Sequence, residues 1–508
     1  VLGTALIDMY INCRDPSSAY SVFKALPCQN VITWSAIISG YVEHGHISDA
    51  LQLFEEMHKH GIKPDIVAFL CLLQACTTTP PRYLPDGMII HFYVIDMGLE
   101  TDSKLENGLV DMYSKCGLLT KAQEVFSMLP IRNTATWNAI ISGYVRNGHP
   151  EAAFDFFEKM QIEGISPDSV TFTSILKGCS DIVAINKGKE IHADIDKRGL
   201  LKNNPFVGTA LIDMYSKCGM LADARLVLVS HSCRNVATYT ALISGYLENE
   251  FAEKALECYG EMRKDNIVPN TATYACCLRA CGMINGGIEK GRLIDAEITN
   301  RGLCEKDISV GNALVDMYAK CGMLEKARFI LFDRIPIPNS ITWNSLMSGY
   351  VQNGRCKEAL NCFNSMQTRG SMPDAVTFTC CLRACGALND LEKGAEIHAQ
   401  IVRNSLLGNE VSVGNALVDM YAKSGWFIKA KEVLNSLSFR DVSTWNSLIT
   451  SYAQRNFAED VLKCYKEMQL DGVNPNAITY ACGLKACVSM GDIDKGSDLH
   501  CETVERGL

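Results

Sequence analysis

His500-Cys501-Glu502 has the H-x-E form in which zinc nucleotide deaminases set a histidine ligand beside a proton-shuttling glutamate. The chemistry also needs a cysteine pair to complete the metal, and no cysteine follows Cys501. His192 and His398 occupy the same place of a repeating pattern with no glutamate two residues on, so His500 reads as a repeat position. The 23 cysteines test the metal idea along the whole chain. Cys13, Cys116, Cys218 and Cys321 share one column, taken by Ser424 in the last copy, and Cys76, Cys179, Cys281, Cys385 and Cys487 share another. A cysteine repeated by column, and replaceable by serine, reads as a small buried hydrophobe that requires no partner. So many unpaired thiols fit a reducing compartment. CxxC, HExxH, GxxxxGK and GxGxxG are all missing from the sequence, so neither an enzyme nor a cofactor is expected.

The elements behind these columns are set by a ruler. The word Asp-Met-Tyr begins at Asp8, Asp111, Asp213, Asp316 and Asp419, at intervals of 103, 102, 103 and 103. A period held to the end of the chain means one copied unit. It is compound, with three kinds of unit alternating. In the unit from Val31 to Asp65, Trp34, Ile37, Ile38 and Tyr41 share one helical face, and Ala50, Leu51, Phe54 and Met57 share a second. Gly45 separates the halves, Ser48 is placed as an N-cap, and Gly61 with Pro64 closes the second helix. Each unit is a helical hairpin too short to bury its apolar stripe alone, so the hairpins must stack into an all-α solenoid. No stretch of about 18 apolar residues occurs. The sequence opens inside a unit without Met and stops inside another, which reads as a piece of a longer protein.

The segments VITWSAIISGYVEHGHISDALQLFEEMHKHGIKPD, LVDMYSKCGLLTKAQEVF and AVTFTCCLRACGALNDLEKGAEIHAQI resemble the P, S and L motifs of plant-type pentatricopeptide repeat proteins of the PLS subclass. By that resemblance the chain is one solenoid, a right-handed superhelix of helix-turn-helix repeats. It begins with a partial S unit at 1–30, then P 31–65, L 66–102, S 103–133, P 134–168, L 169–204 and S 205–235. There follow P 236–270, L 271–307, S 308–339, P 340–374, L 375–410, S 411–441, P 442–476 and a partial L at 477–508.

The resemblance implies single-stranded RNA binding, one nucleotide per repeat, each base read by a few side chains. The readers it implies are the fifth and last residues of the P and S units. These are Thr4 with Asn30, Ser35 with Asp65, Asn107 with Asn133, Asn138 with Asp168 and Thr209 with Asn235. Toward the C-terminus they are Thr240 with Asn270, Asn312 with Asn339, Asn344 with Asp374, Asn415 with Asp441 and Asn446 with Asn476. An Asp carboxylate only accepts, suiting the imino N–H of U or G, whereas an Asn amide also donates, suiting the ring nitrogens of C and A. A short Thr or Ser leaves room for a purine, and Asn reaches a pyrimidine. From the 5′ side the series is A, G, any, Y, U, any, A, A, any, Y, U, any, U, Y, any, with Y a pyrimidine, C preferred. The L units are uncalled, since Leu70, Ala275 and Ala481 cannot hydrogen-bond, and Thr173 with Asn204 and Thr379 with Glu410 are left open. Against this stands the ordinary use of Asn, Asp and Thr near a helix start, which is capping; base reading is the preferred expectation. The unit ending at Asn339 carries one extra residue that unsettles its pairing.

At position two the resemblance expects an apolar side chain flanking the base. Ile32, Val67, Val170, Phe206, Ile341, Val376 and Ile478 fit, Ala135 and Ala237 fit weakly, and Lys104, Ser309, Ser412 and Ser443 depart; inter-repeat packing explains the apolar cases as well. A net charge of −9 gives no global attraction for a polyanion, so phosphate contact must be local. Lys115, Lys217, Lys320 and Lys423, one S column, could meet phosphates or simply be solvated. The resemblance further implies a mitochondrial or chloroplast setting and guidance of organellar RNA processing, C-to-U editing above all. The chemistry would then lie outside this chain, in a deaminase-bearing or editing-complex partner, with no membrane and no small-molecule substrate. The alternatives are a protein-binding α-solenoid scaffold, or another role in organellar RNA maturation, stability or translation.

Overall fold

A computed structural model describes residues 2–77, 83–99, 102–202, 204–230, 234–407 and 410–507. The described residues form helices and turns with no strand, as expected of an all-α solenoid. The chain divides into two compact units, Val1–Glu250 and Phe251–Leu508. Within each unit helices alternate as first and second members of hairpins, and first helices pack on the second helix of their own hairpin and on neighbouring first helices, as Pro205–Lys217 does on Leu221–Ser230, Ser169–Asp181 and Val236–Glu248. In the N-terminal unit, Ser103–Lys115 lies between Ile66–Cys76 and Thr134–Arg146; in the C-terminal unit, Ser340–Gln352 lies between Ile308–Lys320 and Ala375–Leu388. P, L and S are kept below as labels for the three alternating kinds of repeat.

The core follows from column-wise burial. The fourth residue of each P and L repeat is aromatic and buried, as in Trp34, Phe69, Trp137, Phe172, Trp343 and Phe378. From the second helices, Met57, Met160, Met262, Met366 and Met468 are fully buried. First helices of successive repeats approach so closely that a Cβ on Gly143 would stand 2.4 Å from Ser114 Cβ.

Three expectations need correction. Ser48 lies inside the helix Ile47–Lys59, whose N-cap is His46 without a side-chain cap bond. The turn before it is made by Gly45 in the left-handed region, φ 78°, so the backbone rather than a serine sets the break. The two cysteine columns also differ. Cys76, Cys179, Cys281, Cys385 and Cys487 are buried, and burial pushes the Cys76 and Cys179 thiols up to about 12, out of the reactive range. Cys116, Cys218 and Cys321 are half-buried C-caps of first helices, and Cys13 is exposed, so that column is a helix terminus and not core. Finally, the extra residue before Asn339 is absorbed by a π-helical turn, Ile330–Arg334, which ends the second helix of that repeat. Arg334 there donates to Asp295 Oδ1 at 2.7 Å, and Asp295 accepts from Tyr318 Oη at 2.8 Å. In three other copies that tyrosine meets a histidine: His91 with Tyr113, His192 with Tyr215 and His398 with Tyr421.

Candidate nucleic-acid interface

The last residue of every P and S repeat is the N-cap of the next first helix. Asn30, Asn133, Asn235, Asn270, Asn339 and Asn476 accept through Oδ1 from a backbone N–H three residues on, and Asp65, Asp168, Asp374 and Asp441 do the same. Capping is therefore real in this column. It also fixes which atom points away. With Oδ1 committed to the helix, each Asn cap leaves its Nδ2 donor without a protein partner among the described residues. In Asp168 the same geometry leaves Oδ2, an acceptor.

A third residue, which the resemblance does not point to, joins the two. The next repeat's third residue is a buried threonine at Thr33, Thr136, Thr171, Thr238, Thr273, Thr342, Thr377, Thr444 and Thr479. At Thr171 the hydroxyl accepts from the Asp168 backbone N–H at 3.1 Å and donates to Asn138 Oδ1 at 2.6 Å; Asn138 Nδ2 returns to Asp168 Oδ1 at 3.0 Å. The ring is closed, and it orients the amide: the oxygen faces the threonine and the donor faces the cap. The same ring joins Asn344, Asp374 and Thr377, then Asn415, Asp441 and Thr444, then Asn446, Asn476 and Thr479. Asn107 and Asn312 are held by Thr136 and Thr342 at 2.5 Å but are not bonded to Asn133 or Asn339 directly. Asn312 keeps this clamp despite the π-helical turn, so the extra residue does not displace its register.

Where position five is not Asn, the arrangement changes. Ser35 spends its proton directly on Asp65 Oδ1 at 2.8 Å, because Ala68 stands where the threonine would be. Thr209 and Thr240 donate to carbonyls of their own helices, Pro205 and Val236. Thr4 makes no bond to Asn30. The threonine column is visible in the sequence, but a threonine in the first helical turn is ordinary capping usage and carries no signal of its own there.

Burial raises the Asp168, Asp374 and Asp441 pKa values, and hydrogen bonds from the following threonine and from the position-five amide outweigh it, leaving each below 3.8. All three are carboxylates at neutral pH, hence acceptors only. Beside them the position-two side chains stand out of the core: Ile32 is 60% exposed, Phe206 75% and Ile341 58%. Inter-repeat packing does not explain them. Ile32 and Val67 border a cleft of about 430 Å³ with Thr4, Ser35 and Asp65, and Val170 and Phe206 border one of about 610 Å³ with Thr173, Lys177 and Thr209.

The S-column lysines are not free. Lys115, Lys217, Lys320 and Lys423 sit 2.6 to 3.0 Å from Asp111, Asp213, Asp316 and Asp419, the aspartates of the Asp-Met-Tyr ruler. Glu502 of the H-x-E fragment accepts from the Tyr465 and Tyr480 hydroxyls, and no group of metal-ligating side chains forms among the described residues.

A model of the PPR repeat family matches residues 29–78, 132–181, 234–283, 338–387 and 440–507, and a PPR repeat model matches 107–133, 312–333 and 415–442. A pentatricopeptide repeat-containing protein of Arabidopsis thaliana, named chloroplastic, is 33% identical over 493 residues, covering 97% of this chain and 78% of its own. The chain belongs to the pentatricopeptide repeat family. A second Arabidopsis thaliana member, named mitochondrial, is 35% identical over 98% of this pentatricopeptide repeat chain, which spans only 54% of that relative. Among solved structures, the pentatricopeptide repeat protein PPR10 in complex with an 18-nt psaJ RNA element superposes with a TM-score of 0.66 at 18% identity, over 98% of this chain and 78% of that one. PPR10 from maize gives 0.61 at 17% identity, over 99% and 78%. The pentatricopeptide repeat solenoid is thus the shared fold.

Proposed function

We propose that this pentatricopeptide repeat protein binds single-stranded RNA in a sequence-specific manner, one base per P or S repeat. The observation that carries the reading is the oriented pair: a capping residue whose outward atom is a donor in Asn and an acceptor in Asp, beside a position-five amide clamped by threonine. An outward Nδ2 suits the ring-nitrogen acceptors of C and A, and an outward carboxylate oxygen suits the imino N–H of U and G. Exposed position-two side chains supply apolar faces on which bases can lie. A PPR10 neighbour is crystallised with an RNA element, which supports the same ligand class here. The repeat boundaries and reader pairs set out from the sequence are kept, and so is the series A, G, any, Y, U, any, A, A, any, Y, U, any, U, Y, any.

Relatives named chloroplastic and mitochondrial support an organellar setting. Within it the chain acts as a guide for RNA processing, C-to-U editing in particular, with the chemistry supplied by another domain or partner. The test is binding to a 15-nucleotide RNA of the series against one with purines and pyrimidines exchanged at the P and S positions. Equal affinity would refute base reading. Changing Asp168 and Asp374 to Asn should move preference from U toward C at nucleotides five and eleven alone, since each change replaces a carboxylate oxygen with an amide donor; Asp374 Oδ2 also accepts from Asn344 Nδ2 at 3.1 Å, so its shift should be the smaller.

A further inference from the structure

Position nine of the first helix distinguishes the three kinds of repeat. It is Ser39, Ser142, Ser244, Ser348 or Thr450 in P units, Asp8, Asp111, Asp213, Asp316 or Asp419 in S units, and Lys177, Arg279, Arg383 or Lys485 in L units after the first, which has Gln74. Residues two, five and nine are spaced by three and four and share one helical face. Position nine therefore lies on the face that carries the position-two side chains, and Lys177 lines the same 610 Å³ cleft as Val170, Phe206 and Thr209.

The charges on this face are not equivalent. Each S aspartate at 111, 213, 316 and 419 holds the lysine four residues on, so those pairs carry no net charge. Lys177, Arg279, Arg383 and Lys485 are exposed, and each is the single basic residue of its first helix. Among the described residues none of the four has a side-chain hydrogen bond or ion pair. L units also lack the clamp: the repeat that follows each has Leu105, Val207, Val310 or Val413 in place of the threonine. An L unit thus offers little with which to orient a base reader, yet presents a bare cation.

We propose that the L units hold the RNA backbone, with Lys177, Arg279, Arg383 and Lys485 each contacting a phosphate. This rests on the RNA-binding reading and adds a division of labour: P and S repeats read bases, L repeats supply sequence-independent attraction. A chain of net charge −9 needs such unneutralised cations to meet a polyanion.

The test replaces all four with Gln in the full chain and measures Kd for the 15-nucleotide RNA across a fourfold range of KCl. A control variant loses the same charge from second helices: Lys159→Gln, Lys197→Gln, Lys264→Gln and Lys463→Gln. Each lost phosphate contact flattens the log Kd against log salt slope by about 0.7, so the L variant should flatten by close to ~3 in all. The fourfold salt rise then weakens the unmodified chain roughly fifty-fold more than the variant. Matched and base-exchanged RNAs should weaken by the same factor, and the control should keep the original slope. An unchanged slope in the L variant, an equal change in the control, or poly-aspartate competing as well as RNA would overturn the proposal. If the unmodified chain binds both RNAs equally while the L variant still flattens the slope, base reading fails and the phosphate column stands.

Discussion

Replacing Thr377 by Val removes one hydroxyl from a fully buried site while keeping the side chain's shape. That hydroxyl accepts from the Asp374 backbone N–H at 3.2 Å and donates to Asn344 Oδ1 at 2.7 Å. Asn344 is 8% exposed, so its orphaned carbonyl cannot turn to solvent without leaving the clamp. An unsatisfied buried acceptor costs about 1–3 kcal/mol, and loss of half a capping box about 0.5–2 kcal/mol. A local destabilisation of about 1.5–5 kcal/mol is expected. Because repeat stabilities are near-neighbour quantities, it should be confined to the repeats around residues 340–410 and be visible as faster amide exchange there. The functional consequence is separate: an amide no longer tied at its oxygen can rotate and offer the base either atom. Preference for U at nucleotide eleven should fall by about 1 kcal/mol, roughly fivefold, with the other positions unchanged. Thr377→Ser keeps the hydroxyl and should keep the preference, even where it costs some stability. A Val variant that discriminates as well as the unmodified chain would show that the threonine caps and does nothing for recognition.

Two further outcomes concern the scaffold. Burial, helped by Lys121 and Lys429 respectively, lowers the His91 and His398 pKa values below 6.5, so both rings are more readily protonated in the unfolded chain. Stability from the neutral rings is present above about pH 6.5 and lost as pH falls toward the lowered folded values. The melting temperature should drop between pH 7.5 and 5.5, and less so in a His91→Gln, His398→Gln variant; identical pH profiles would refute this. Gly143→Ala would place Cβ 2.4 Å from Ser114 Cβ and should destabilise by about 1–2 kcal/mol net of the gain in helix propensity. Gly260→Ala, in a helix with nothing within 4 Å, should instead stabilise by about 0.5–1 kcal/mol. Urea midpoints that move in the same direction for both would contradict the close-approach argument.

What the sequence disclosed was whatever is written by column. Trp34, Trp137 and Trp343, and Met57, Met160 and Met366, recur at the spacing of the period, and burial follows because each copy meets the same neighbours. Departures from the column were harder to read, since their compensation lies elsewhere in space. The inserted residue near Asn339 is answered by a π-helical turn that brings Arg334 to Asp295, where other copies have histidine. Nothing in residues 308–339 alone announces that Asp295, in the preceding repeat, is its partner. Cys116 and Cys179 look alike in sequence but differ in burial, because Cys116 is the C-cap of its helix and Cys179 lies within Ser169–Asp181.

Capping and recognition are rival explanations of the Asn and Asp column, and under the proposed RNA reading they become parts of one device. A free asparagine can present either its oxygen or its nitrogen to a base, and so discriminates poorly between edges that donate and edges that accept. Fastening Oδ1 to the helix N-terminus removes that ambiguity without adding a residue. The buried threonine performs the same service for the position-five amide, and its hydroxyl is itself fixed by the cap's backbone N–H. Under that reading, pre-organisation would let two short polar side chains discriminate, because little orientational entropy would remain to be lost when a base arrives. The role proposed for the L repeats follows the same logic. Where Val207, Val310 or Val413 replaces the threonine, no amide is clamped, and the polar residue retained on that face is a cation whose interaction with phosphate depends little on orientation.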